Sequence, residues 1–290
     1  MPSSAPRPSP LDVDLDAALG EHLGTARSST VSVWCAGTDG AAWFTRSADA
    51  PHYAASTMKL PLLIAAYRRH QRGELDLDLP VRVHNRFASA LDGSPFSMAQ
   101  EDDQDDATWA RVGSEESLRT LARHAIVHSG NLATNLVLEE VGVDEVAGVL
   151  RDAGCSDATA LPRGIEDAAA REAGLDNVVT AADLGRVMCG VAAGTLAPAE
   201  TCREIEAVLA GQLYRDKIPA GLPPETYVAN KTGWVTGVAH DVALVRPEGM
   251  DPYVLAVCTT SALAEDEASR LIAAVSATIW AGLTRTGLVG

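Results

Sequence analysis

TYVANKTGWVTGVAHDVALVRPEGMDPYVLAVCTT, residues 226–260, holds three strand-like runs, TYVANKTGW, HDVALVRP and PYVLAVCTT, parted by short segments carrying Gly and Pro. A helical pattern follows from about Leu263 to Leu283. Strand signals occur elsewhere only near the start. TVSVWCAG and AAWFTR, separated by Thr38-Asp39-Gly40, read as a hairpin after an opening helix over Leu11–Leu23. Between these ends helical patterns dominate, over Thr57 to about Arg72 and again from Glu115 to Leu196, where Gly142, Gly154, Gly174 and Gly194 punctuate Ala-rich faces. Strands therefore bracket a helical middle. That order predicts an α/β (α+β) chain in which the early hairpin joins the late strands in a mixed antiparallel sheet flanked by the terminal helices. Residues 1–50 and 215–290 are expected to form this discontinuous lobe, and residues 51–214 an all-helical lobe, with a cleft between the two.

The chain has 290 residues, enough to bury a large core, with 47% apolar and 21% charged residues, which excludes disorder as the default. A formal charge of −16 argues against nucleic acid or an anionic membrane as the main partner. Five cysteines stand far apart without metal-ligand spacing and read as free, mostly buried thiols. No stretch has the apolar length of a signal peptide or a membrane span, so the expected location is cytoplasmic, or secreted if a leader has been removed. The acidic segment EDDQDDATWAR, residues 101–111, reads as a solvated surface loop.

Three short motifs carry chemistry: Ser56-Thr57-Met58-Lys59, Ser129-Gly130-Asn131 and Lys231-Thr232-Gly233. A serine hydroxyl is a weak nucleophile, so acyl transfer needs a base in reach and donors aimed at the developing oxyanion. Three residues apart at the start of a helix, Ser56 and Lys59 fall on one face, which brings the amine to the hydroxyl. Lysine acts as a base only when its amine is partly neutral, which burial or a second cation such as Lys231 achieves. Lone SxxK tetrapeptides are common, but this chain has three lysines against twenty arginines, and two of the three lie in these motifs. Lys59 is moreover set in the apolar run STMKLPLLIAAY. His124 and His128, four apart, lack a third ligand and read as structural.

With SxxK, an SxN triplet and KTG in this order, the sequence resembles the class A β-lactamase and penicillin-binding superfamily. YAASTMKLPLL, SGNLATNLVLEEVG, NKTGWVTGVAHDVALV and the final helix all fall in familial order, covering nearly the whole chain. The resemblance implies Ser56 as the acylated nucleophile and Lys59 as its proton acceptor. It makes Ser129 a proton shuttle to the leaving nitrogen and Asn131 a partner of Lys59 and of the substrate amide. Lys231, Thr232, Gly233 and Trp234 would line the substrate site, and His240 would either help bind a carboxylate or make a structural hydrogen bond. The backbone N–H groups of Ser56 and Trp234 would form the oxyanion hole.

Two departures stand out. Gly130 replaces the family's usual aspartate, and in LPRGIEDAAAREAGLDN, residues 161–177, the match to the family's omega loop is imperfect. Members carry a glutamate two residues after an arginine and an asparagine four residues beyond it. Here Glu166 lies three residues after Arg163, and position 170 is alanine. Glu166, and after it Asp167, are the candidates for activating a deacylating water. The expected function is thus a serine hydrolase acting on an amide, ester or β-lactam, without a cofactor or metal. The alternatives are a transacylase, D-amino-acid amidase or DD-peptidase-like enzyme with slow hydrolysis, and a non-catalytic ligand sensor.

Overall fold

A computed structural model describes residues 10–23 and 29–286. Helix α1 (Pro10–Leu23) precedes the hairpin β1 (Thr30–Gly37) and β2 (Ala42–Arg46). The helices α2 (Lys59–Gln71), α3 (Leu118–Val127), α4 (Asn131–Val141), α5 (Val143–Asp152), α6 (Ala181–Ala192) and α7 (Ala199–Ala210) follow. The chain then returns through β3 (Tyr227–Val235), β4 (Val238–Arg246) and β5 (Tyr253–Thr260) to the long helix α8 (Glu265–Thr286).

The five strands form one antiparallel sheet in the order β2-β1-β5-β4-β3. The early hairpin joins the late strands through β1 and β5, with Val33 opposite Val257. Alternate residues leave opposite faces, so a strand covered on both sides is apolar throughout. On one face Val33, Cys35, Leu255 and Val257 meet Leu15 and Leu19 of α1 and Leu271, Ile272 and Val275 of α8. On the other, Trp34, Ala36, Val254 and Ala256 meet Leu184, Val187 and Met188 of α6. Gly185 permits that contact, because a Cβ there would lie 2.1 Å from a Trp34 ring carbon.

The expected helices over Leu11–Leu23 and Leu263–Leu283 are present, the first starting one residue earlier and the second displaced by two residues at its start and three at its end. Helix α2 starts later than its pattern suggests, after a 3-10 turn over Ala55–Met58. Its first nine residues, Lys59 to Tyr67, are all buried, so it forms the axis of the helical region. That region is not wholly helical. Three short antiparallel pairs tie its loops together, His52–Tyr53 with Val178–Val179, Pro80–Arg82 with Glu115–Ser117, and Phe87–Ala88 with Pro95–Phe96. Pairs of two or three residues are too short to show a period in sequence.

Candidate active site

The 3-10 turn over Ala55–Met58 places Ser56 beside the sheet. In a 3-10 turn residues i and i+3 eclipse, so Ser56 and Lys59 stack on one side. Ala55 takes a left-handed φ of 45°, a costly conformation for a residue with a Cβ, directly before the candidate nucleophile. From the sheet side β3 comes close at Gly233. A Cβ there would lie 2.9 Å from the Ser56 nitrogen and 2.8 Å from that of Thr57, so glycine is required for the approach.

Lys59 is 1% exposed. Its ammonium donates to the Ser129 carbonyl at 2.6 Å and to Asn131 Oδ1 at 2.8 Å. Burial lowers its pKa to about 7, while the carboxylates of Asp103 and Asp105 oppose the shift. Ser129 adopts a left-handed φ of 58°, and its hydroxyl accepts a 3.0 Å hydrogen bond from Lys231 Nζ. Lys231 also donates to the Thr232 carbonyl at 2.8 Å. Fully buried and close to Lys59, Lys231 has its pKa driven well down, first by desolvation and then by that second cation. The Thr232 hydroxyl is buried without a hydrogen-bond partner.

Trp234 stands at the cavity wall, its ring 4.7 Å from that of Tyr214, with Lys217 Nζ 5.1 Å from its centroid. His240 does not reach the cavity. Its ring is fully buried, with Nε2 2.9 Å from the Tyr53 carbonyl and Nδ1 accepting from the Thr259 N–H at 3.1 Å. Burial lowers its pKa to about 4, so the ring is neutral and joins β4 and β5 to the strand segment before Ser56. Of the two roles the resemblance offered for it, the structural hydrogen bond is the one its surroundings match.

The acidic segment 101–111 departs from the sequence reading. It is solvated only in part: most of its residues are exposed, but Asp105 and Thr108 are each 1% exposed, and Asp103 is partly buried. Asp103 accepts the N–H groups of Asn131 and Leu132, both at 2.8 Å, and the Trp109 indole N–H at 2.9 Å. Gly130 begins α4 without a capping side chain, so the cap arrives from this distant loop.

The segment 161–177 closes the other wall. Arg163 is buried, donating to the carbonyls of Leu175 and Gly164 and, at 2.7 Å, to Asp176. Asn135 of α4 clamps Ile165, accepting its N–H at 2.8 Å and donating to its carbonyl at 2.9 Å. Glu166, at φ 60°, accepts the Ala99 N–H at 3.1 Å through Oε2, while Oε1 is buried without a partner. Burial raises its pKa, and Asp102, Asp103 and Glu101 add to the rise. Asp167 is committed elsewhere, accepting from Ser89 Oγ and from the N–H groups of Ala90 and Ala170. Ser56, Asn131, Glu166 and Trp234 share one cavity of about 750 Å³ with Tyr53, Asp102, Gln104 and Arg171.

The sequence profile of the beta-lactamase enzyme family matches residues 14–283. The chain belongs to the beta-lactamase enzyme family. A β-lactamase from Sphaerobacter thermophilus is similar over 95% of this chain and 97% of its own, at 26% identity and a TM-score of 0.77. A β-lactamase from Xanthomonas campestris covers 93% of this chain and 97% of its own, at 21% identity and a TM-score of 0.78. PBP-A covers 97% and 100%, at 19% identity and a TM-score of 0.78. The last two show a shared fold. No curated protein matches the chain in sequence.

As a β-lactamase-like serine hydrolase, the chain brings together more residues than its motifs name. Asp103, Asp105, Asn135 and Lys217 all support the cavity and stand outside the three triplets. Lys217 had a signal, since it is the third of only three lysines, and all three are buried, at 1%, 1% and 0% exposure. Asp103 and Asp105 had none, because an acidic run read along the chain looks solvated whatever it packs against.

Proposed function

We propose that this β-lactamase-family enzyme opens a β-lactam or a related amide through an acyl-enzyme on Ser56 and releases the acyl group to water with Glu166 as base. The carrying observation is Lys59, a buried amine held by two acceptors and brought to about 7, so that a neutral base is present near neutral pH. In the acylation step Lys59 takes the Ser56 proton as Oγ bonds to the carbonyl carbon. The developing oxyanion sits at the Ser56 N–H, beside Gly233. As the C–N bond breaks, Ser129 gives its hydroxyl proton to the leaving nitrogen and regains the proton that Lys59 took from Ser56, with Lys231 holding the hydroxyl in place. The buried, partnerless Thr232 hydroxyl supports a contact to a substrate carboxylate. In the second step Glu166 takes a proton from water as the water oxygen bonds to the acyl carbon; the C–O bond to Ser56 breaks, and Ser56 Oγ leaves as a hydroxyl with a proton from Lys59, which the proton held on Glu166 replaces.

Two observations favour slower release. Position 170 is a buried alanine, and the Lys59 hydrogen bonds go to Ser129 and Asn131 with none to Glu166. Both features weaken the hold on a deacylating water and favour transfer to another acceptor. Intact-protein mass spectrometry with benzylpenicillin and a chromogenic cephalosporin, alongside Ser56→Ala, tests the reading. The expected result is a penicilloyl adduct with β-lactam turnover, both lost in Ser56→Ala. A long-lived adduct without turnover would favour the acyl-transfer reading, and an adduct that survives Ser56→Ala would overturn both.

A further inference from the structure

The acidic loop and Gly130 interlock. A Cβ on Gly130 would lie 2.7 Å from Asp105 Oδ2 and 2.8 Å from Asp105 Cβ, so the Asp105 side chain fills the space that any larger residue at 130 would need. Asp105 is itself held in place. It caps the short helix Asp106–Trp109, accepts the Thr108 hydroxyl, and lies 3.3 Å from His124 Nδ1 of α3. Its neighbour Asp103 supplies the cap that Gly130 lacks, taking the first two N–H groups of α4, the helix that presents Asn131 to Lys59. The charged groups around Lys59 are Asp103 and Asp105 from this loop and Lys231 from β3.

We propose that Asp103 and Asp105 are positioning residues for the acylation chemistry, together doing from a separate loop the work of an aspartate at position 130. Asp103 holds Asn131 in register with the base. Asp105 occupies the space beside Gly130 and, with Asp103, favours the protonated form of Lys59. The burial of Lys59 alone would push the amine further toward its neutral form, giving a weaker base. Two nearby carboxylates offset that and leave the amine strong enough to take the serine proton. This inference rests on Ser56 and Lys59 being the nucleophile and base.

The test exploits the scarcity of lysine. Protein labelled with [ε-13C]lysine gives three side-chain signals, which Lys→Arg variants assign, and their titration needs no substrate. In the wild type the Lys59 signal is expected to titrate near 7. Asp103→Asn and Asp105→Asn should each move that midpoint down, the direction expected when an opposite charge that favours the ammonium is lost. The pH profile of penicillin acylation should move with it. Gly130→Asp alone should impair acylation, because two side chains then compete for one space, whereas Asp105→Gly with Gly130→Asp should recover most of it. That pair also keeps a carboxylate in place if the single Asp105 variants fold poorly. An unmoved Lys59 midpoint in Asp103→Asn and in the Asp105 variant would overturn the inference, as would a double variant no better than Asp105→Gly. Absence of any penicillin adduct in the wild type would instead count against the acyl-enzyme reading, leaving the titration to decide this one.

Discussion

Replacing Glu166 with glutamine should separate the two halves of the reaction. Glu166 Oε2 holds the Ala99 N–H at 3.1 Å, and a glutamine oxygen can keep that bond. The substitution also removes a charge that burial, Asp102, Asp103 and Glu101 all disfavour, so the loop should hold its shape. What disappears is the basicity of the partnerless Oε1 in the cavity wall. Positioned base catalysis contributes about 10²–10⁴-fold, equivalent to roughly 3–5 kcal/mol of transition-state stabilisation. Deacylation in Glu166→Gln should therefore slow by about that factor while acylation changes little. Rapid mixing with benzylpenicillin, quenching in acid and intact-mass readout gives both rates from one time course. Wild-type deacylation should itself rise with pH, since only the ionised carboxylate accepts a proton. Because its pKa is raised, the acid limb should lie above that of an ordinary glutamate. Release of the acyl group by Glu166→Gln at the wild-type rate would refute Glu166 as the base.

Other expectations follow from the same geometry. Acylation should rise with pH as Lys59 loses its proton, reaching half its limit near 7, with roughly a tenth of the limiting rate one pH unit below; a half-point above 9 in stopped-flow acylation would show an ordinary lysine instead. Gly233→Ala forces β3 away from the amides of Ser56 and Thr57, and misplacement on that scale should cost about 10²-fold in acylation, read by the same mass assay. Gly185→Ala gains helix propensity, about 1 kcal/mol, but drives a Cβ into the buried Trp34 ring, where overpacking costs about 1–3 kcal/mol. A lower urea midpoint is expected, and an unchanged one would show that α6 retreats freely from the sheet.

The strands and their pairing were legible because their residues announce themselves locally. A strand covered on both faces, such as Tyr253–Thr260, is apolar almost without interruption. The SxxK, SxN and KTG motifs were legible for a related reason, since each is a contiguous set whose geometry the local backbone imposes. Less was visible where the deciding partner lay far along the chain. The 101–111 run looked solvated because net charge is a property of the segment, whereas the burial of Asp105 depends on the space left by Gly130, 25 positions away. His240 follows the KTG strand as its resemblance suggested, but its bonds to Tyr53 and Thr259 come from two other elements. The separation of Glu166 from Asp167 as candidate bases likewise required Ser89, Ala90 and Ala99.

Sequence by itself determined the kind of chain this is: strands at both ends, helices between, and a serine, lysine and KTG set spaced for acyl transfer. Those features depend on residues within a few positions of one another, where backbone geometry alone fixes which side chains meet. Only tertiary structure decided what surrounds Lys59 and which of Glu166 and Asp167 keeps an oxygen without a hydrogen-bond partner. Desolvation and Coulomb interaction depend on distance through space, and the carboxylates that oppose the effect of burial on Lys59, Asp103 and Asp105, reach it from 44 and 46 residues along the chain.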